Sequence, residues 1–244
     1  MDRNRQATDR QSLTLVLLPG LDGTGKLFQP FLSLLPPDLP AQVITYPTAN
    51  PLDLSELAAY VRDQLPEGPL ILLAESFSGL VVLELLRSNK LSPKAVVLCA
   101  TFAVPPRPRV LWLIQRIPFI EQFTHSVPDS ILKHFCMGEH ATQEQLDILR
   151  EVLTGIPPRI IRHRLNLIAR FQADDKSRFE IPCYYLQAMG DRLVPASAAN
   201  LFQRHFIPFQ IRQIEGPHFL LQSQPGVCAE QVMSLVNQVT EAEI

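Results

Sequence analysis

Short apolar runs alternate with amphipathic stretches along most of this chain, and that alternation limits the fold more than any other feature. Strand-like runs lie at 12–18, 42–46, 70–74, 95–100, 182–188 and 209–214, with helical patterns at 26–35, 53–65, 77–88, 196–205 and 226–242. Strands separated by helices build a parallel sheet covered on both faces, because a parallel neighbour requires a crossover long enough to hold a helix. The expectation is an α/β fold: a doubly wound, mostly parallel sheet of about six strands. Asp53-Leu54-Ser55-Glu56 and Thr142-Gln143-Glu144-Gln145 both have the spacing of a capping box, which marks helix starts.

Residues 105–180 break the rhythm. They hold short amphipathic segments interrupted by Pro118, Pro128 and Pro157-Pro158, and the stretch is too long for a bare loop. It reads as a helical cap resting on the sheet edge. The expected organisation is a loose tail at 1–11, a core made of 12–104 and 181–244, and the cap at 105–180.

Composition narrows the function classes. Twenty-two Lys and Arg against 24 Asp and Glu give a net charge of −2, so no long-range field draws nucleic acid or an anionic membrane. With 46% apolar and 19% charged residues the chain can bury a large core. The longest apolar runs, at 13–18 and 95–100, are too short to span a bilayer, so no stable membrane insertion is expected. The N-terminus carries Arg3, Arg5 and Arg10, but the apolar stretch after them stops at Pro19-Gly20 with no cleavage pattern, unlike a signal peptide. Cys99, Cys136, Cys183 and Cys228 lack paired spacing and read as free thiols in a reducing, cytoplasmic setting.

Glycine is scarce, ten residues against 22 prolines, so its placement is informative. Gly20, Gly23, Gly25, Gly79, Gly190 and Gly216 all lie in or just past turns that follow strand-like runs. Those turns are where open parallel sheets bind ligands.

The same turns hold the reactive residues. Ser76 sits between the 70–74 run and a helical pattern, flanked at −2 and +2 by the small residues Ala74 and Ser78. That suits a sharp turn exposing a nucleophilic hydroxyl; helix N-capping is the competing reading. Serine needs a base, and the base needs an orienting acid. Of six histidines, four lie in the inserted segment and His205 ends a helix, where its charge would favour the dipole. His218, in Glu215-Gly216-Pro217-His218-Phe219 after the last strand, is the candidate base. Asp191, in Gly190-Asp191-Arg192, is the candidate acid, with a turn or cap role as the alternative. There is no H-E-x-x-H and no clustered Cys/His spacing, so neither metal nor cofactor is expected.

The first turn, Gly20-Leu21-Asp22-Gly23-Thr24-Gly25-Lys26, fits G-x-x-x-x-G-K, the pattern of a phosphate loop. Leu27 stands where Mg²⁺ would need a hydroxyl, and Asp22 would put negative charge among phosphates. A flexible glycine turn or a donor loop for an oxyanion remain.

In order and spacing these turns resemble the α/β-hydrolase-fold serine hydrolases, capped esterases and thioesterases among them, over nearly the whole chain. The entry Leu-Pro-Gly-Leu-Asp-Gly-Thr-Gly is also similar to that of plastid phytol and diacylglycerol acyltransferases of the same superfamily. The resemblance implies Ser76, Asp191 and His218 as the triad and the Leu21 and Phe77 amides as oxyanion donors. It departs at the start: eleven residues before Ser12 leave no room for the family's opening hairpin, so a trimmed sheet of order 2-1-3-4-5-6 is expected. Apolar residues of the insertion, Trp112 and Phe135 among them, argue for an apolar acyl or alcohol group. Asp22, Trp112 and Phe219 are the candidate substrate contacts. Arg107, Arg109, Arg159, Arg162 and Arg164 read as a solvated basic face, or as contacts to an anionic carrier. The expected activity is hydrolysis of a small-molecule ester or thioester; acyl transfer, lyase chemistry and a non-catalytic ligand-binding role are the alternatives.

Overall fold

A computed structural model describes residues 13–88, 91–106, 127–172, 174 and 176–241. The tail at 1–11, Arg107, Arg109 and Trp112 fall outside the described residues.

Six parallel strands form one sheet: β1 (Thr14–Leu18), β2 (Ala41–Val43), β3 (Leu70–Glu75), β4 (Ala95–Cys99), β5 (Cys183–Ala188) and β6 (Phe209–Ile214), in the order β2-β1-β3-β4-β5-β6. This is the expected order. β3, β4 and β5 are buried at every position, which is why they read as continuous apolar runs rather than alternating ones. Alternate residues still serve opposite faces. Val16, Leu18, Leu72, Ala74, Val96 and Leu98 pack on one side, with α2 (Leu54–Arg62) and α3 (Ser78–Arg87). Leu15, Leu17, Ile71, Leu73, Val97 and Leu186 pack on the other, with α9 (Pro225–Glu241) and the residues around α1 (Gln29–Leu32). The two edges are short or polar: β2 has three residues, and β6 exposes Gln210, Ile211 and Gln213.

Between β4 and β5 the described chain forms α4 (Asp129–Leu132), a π turn (Lys133–Met137), α5 (Gln143–Thr154) and α6 (Pro158–Arg170). These enclose a core of their own from Leu132, Met137, Leu146, Leu149, Ile156 and Ile160, with Leu27 of the first turn pressed into it. Both expected capping boxes form: Asp53 with Glu56 at the start of α2, and Thr142 with Gln145 at the start of α5.

Several boundaries differ from the sequence reading. The helix expected over 26–35 is a 3₁₀ turn, Lys26–Phe28, running into the single turn of α1, because Pro36-Pro37 bars the helical continuation. β2 ends at Val43 because the chain bends inward there, and the Tyr46 amide donates to Gly23 O at 2.7 Å. The helix expected at 196–205 is α7 (Ala198–Phe202), and a short helix, α8 (Leu220–Ser223), follows His218 directly.

Candidate active site

The sheet order reverses between β1 and β3, where one neighbour lies to the left of β1 and the next crossover goes right. The carboxyl ends of those strands therefore open a crevice. The first turn, Pro19-Gly20-Leu21, and the turn at Ser76 face each other across it.

Ser76 leaves β3 with φ of +50°, a left-handed conformation that costs a non-glycine residue about 1–3 kcal/mol unless its surroundings hold it. They do so at both ends: the Ser76 amide donates to Cys99 O at 2.9 Å, and the Thr101 hydroxyl donates to Ser76 O. Thr101 follows Ala100, which is itself left-handed at φ +47°. The strained pair thus lies side by side at the ends of β3 and β4. The small residues around Ser76 have separate reasons. Ala74 is fully buried between sheet and helix. The Ser78 hydroxyl donates to Pro19 O and accepts from Tyr46 OH at 2.5 Å, tying this turn to the first one.

Gly79 is a close-approach glycine. A Cβ there would lie 2.9 Å from both Cβ and Cγ2 of the fully buried Thr101. Gly79→Ala is expected to cost about 1–3 kcal/mol in urea unfolding, the range for overpacking a tight interior. Unchanged stability would show that Thr101 can move aside, and that its hold on Ser76 is slack.

His218 and Asp191 arrive from the other half of the sheet. Asp191 stands in the turn after β5 and His218 in the turn after β6, and the Gly190 amide joins those turns by donating to Gly216 O at 2.8 Å. Asp191 Oδ1 accepts the amides of Leu193 and Val194, each at 2.8 Å, which leaves Oδ2 to accept from His218 Nδ1 at 2.7 Å. A carboxylate only accepts, so the imidazole proton is on Nδ1, and the Nε2 lone pair faces Ser76 Oγ at 3.0 Å. Both side chains are almost buried, 7% exposed for His218 and 5% for Asp191. The arrangement can take a proton from the serine hydroxyl and carry the resulting positive charge beside a fixed negative one.

The expected oxyanion donors are the amides of Leu21, in the first turn, and of Phe77, directly after Ser76. Among the described residues neither donates to another group. Phe77 N lies at the mouth of α3, where its N–H has no intrahelical partner. The three expected substrate contacts separate. Asp22 is buried, and its Oδ2 accepts from the Thr24 amide at 2.8 Å and the Thr24 hydroxyl at 2.6 Å, stiffening the first turn. Phe219 is half-buried, stands edge-on to His218 at 5.6 Å between ring centroids, and touches the core of the inserted helices. Trp112 lies outside the described residues.

Two buried charged residues escaped the sequence reading. Glu75, beside the nucleophile, is 3% exposed, and its Oε1 has no hydrogen-bond partner among the described residues. Burial, with Asp22 nearby, pushes its carboxyl up to about 7. Arg164, expected on a solvated basic face, is 2% exposed and points into the first turn. The sequence carries a signal for this: Ile160, Arg164 and Ile168 are spaced by four on α6, which puts the arginine in an apolar stripe. His205, expected to end a helix, follows α7 and is buried, with Nδ1 donating to Ser177 O at 2.9 Å.

A parallel α/β sheet with a strained serine turn after β3 is the frame of an α/β-hydrolase. The chain belongs to the serine hydrolase family described as serine aminopeptidase, S33, which its residues 51–214 match. Over 163 residues it is 26% identical to phytyl ester synthase 1, chloroplastic, of Arabidopsis thaliana, an alignment covering 63% of this chain and 23% of that protein. The chain thus spans under a quarter of that curated relative's length. Among solved structures it is similar to an enol-lactonase from Burkholderia xenovorans LB400 (TM-score 0.75, 13% identity, covering 93% of this chain and 92% of that one). It is likewise similar to a thermophilic esterase (TM-score 0.71, 18% identity, covering 93% and 90%). The type II thioesterase YbtT of the yersiniabactin pathway follows (TM-score 0.65, 15% identity, covering 93% and 94%). At such identities the likeness is one of fold.

Proposed function

We propose that this protein hydrolyses a carboxylic ester or thioester with an apolar acyl or alcohol group, through Ser76, His218 and Asp191. The observation that carries the reading is the unbroken path from Ser76 Oγ to His218 Nε2 at 3.0 Å and from His218 Nδ1 to Asp191 Oδ2 at 2.7 Å. Ser76 Oγ attacks the carbonyl carbon while its proton passes to His218 Nε2, and Asp191 stabilises the imidazolium. The oxygen that becomes negative lies between the Leu21 and Phe77 amides, each donor supplying about 3–4 kcal/mol to the transition state. Collapse expels the alcohol or thiol, which takes the proton from His218. Water, deprotonated by the same nitrogen, then attacks the acyl-enzyme and frees the acid and Ser76. The cycle draws on protein groups alone.

Half-buried Leu21, Leu165 and Phe219, on the side of the inserted helices, support an apolar substrate group, and we read 105–180 as the cap over it. The four cysteines are all free thiols, in keeping with a reducing, cytoplasmic setting. Among the described residues no helix is long and apolar enough to cross a membrane.

The likeness to phytyl ester synthase 1 favours a second reading, in which an alcohol replaces water as the acyl acceptor. One panel tests both. It comprises p-nitrophenyl esters from acetyl to palmitoyl, the matching acyl-CoA thioesters and an aminoacyl p-nitroanilide, with and without a long-chain alcohol, and Ser76→Ala as the blank. Turnover of esters or thioesters above the blank is expected, and its dependence on chain length sizes the pocket. A new ester formed from the added alcohol would make transfer the activity. Rates equal to the blank throughout, or confined to the anilide, would overturn the ester reading.

A further inference from the structure

The first turn is held from above by a residue of the inserted segment. Arg164 reaches down from α6, and its Nη1 donates to the carbonyls of Leu21 and Asp22, each at 2.8 Å, while Nη2 donates to Pro47 O at 3.3 Å. Its guanidinium carbon lies 5.5 Å from the centre of the Tyr46 ring. Gly23 leaves the space it fills: a Cβ there would stand 2.8 Å from the guanidinium carbon.

Every carbonyl of this turn from Pro19 to Asp22 accepts a hydrogen bond. Pro19 O accepts from Ser78, Gly20 O from the Gly23 amide at 3.1 Å, and the next two carbonyls from Arg164. In a trans peptide the N–H points opposite to the carbonyl. With Gly20 O turned to the Gly23 amide, the N–H of the same peptide, that of Leu21, points away from the inside of the turn. Arg164 fixes the two peptides that follow, and so limits how far the turn can rotate.

We propose that Arg164 is a positioning residue: by holding the Leu21 and Asp22 carbonyls it keeps the Leu21 amide aimed at the oxygen that turns negative when Ser76 attacks. The inserted helix α6 thereby becomes part of the apparatus for stabilising the transition state, and its docking sets whether the turn is competent. The proposal rests on the Ser76 hydrolase reading.

The test uses an alkyl fluorophosphonate, with which no physiological substrate is needed. Ser76 Oγ bonds to phosphorus, fluoride leaves, His218 takes the proton, and the phosphoryl oxygen occupies the oxyanion position. Inactivation is split into a limiting rate and an affinity for the wild type, Arg164→Met, Arg164→Lys and Arg159→Met, with folding followed by near-ultraviolet circular dichroism. The expected result is a limiting rate at least about tenfold lower in Arg164→Met with affinity changed less than about threefold, and part of the rate recovered in Arg164→Lys, which keeps a donor. Arg159, on the same helix, donates to Ala49 O at the surface, and its variant is expected to match the wild type. A folded Arg164→Met that inactivates at the wild-type limiting rate overturns the proposal. If that variant does not fold, an unchanged limiting rate in Arg164→Lys overturns it instead. A wild type that is not labelled at Ser76 overturns the hydrolase reading, and this proposal with it.

Discussion

Ser76→Ala is expected to lower kcat by about a millionfold on whichever ester the protein turns over best, with KM little changed. Removing the nucleophile of such a unit abolishes acyl transfer and leaves only what the oxyanion donors and substrate binding achieve alone. The 3.0 Å contact between Ser76 and His218 makes a second, sharper expectation. His218→Ala should cost about as much as Ser76→Ala, and the double variant no more than either, because each residue is useless without the other. Steady-state kinetics on all three variants checks this. A Ser76→Ala enzyme only about tenfold slower would put the nucleophile elsewhere, and losses that multiply in the double variant would show the two residues acting independently.

Glu75→Gln is expected to stabilise the protein above neutral pH and to do little near pH 5. The carboxyl titrates at about 7 in the folded chain against 4.5 in the open, because burial and the neighbouring Asp22 penalise its charge more than His218 and Gln222 relieve it. Between those values the folded protein binds a proton that the unfolded chain has released, so stability falls as pH rises through the window and is level above it. At about 1.4 kcal/mol per pH unit the loss is about 3 kcal/mol. Glutamine carries no such penalty. Urea unfolding of both proteins at pH 5 and pH 8 measures it, and the gap between them should widen by most of that amount at the higher pH. An equal gap at both pH values would mean that the Glu75 carboxyl ionises in the folded chain where it does in the unfolded one, its cradle being polar enough to hold the charge.

The strand order and the meeting of Ser76, Asp191 and His218 were legible because each rests on a local signal: a run of apolar residues, a turn residue, and a place in the sequence just past a strand. Asp53 with Glu56 and Thr142 with Gln145 belong to the same class, since a capping box is complete within four residues. What the sequence hid depends on partners far along the chain. Arg164 meets Leu21 across 143 positions and Ser78 meets Pro19 across 59, and nothing near either residue announces the partner. Asp22 shows the mixed case. Its bond to Thr24, two positions on, was readable, whereas its closeness to Glu75 follows only from β1 and β3 lying side by side. The shortness of β2 has the same origin, the Tyr46 amide being drawn to Gly23, whereas α1 is ended by the nearby Pro36-Pro37.

The serine and its base stand 142 positions apart, on opposite sides of the inserted segment. A ribosome making this chain therefore completes the serine turn long before the imidazole emerges. If His218 is the base, as proposed, Ser76 gains its partner only when β5 and β6 have joined the sheet. α9 then closes the second face, packing its Cys228, Val232 and Leu235 against the sheet. On the proposed reading, reactivity is thus a property of the finished polypeptide, and the serine of a growing chain is not yet activated to take up an acyl group.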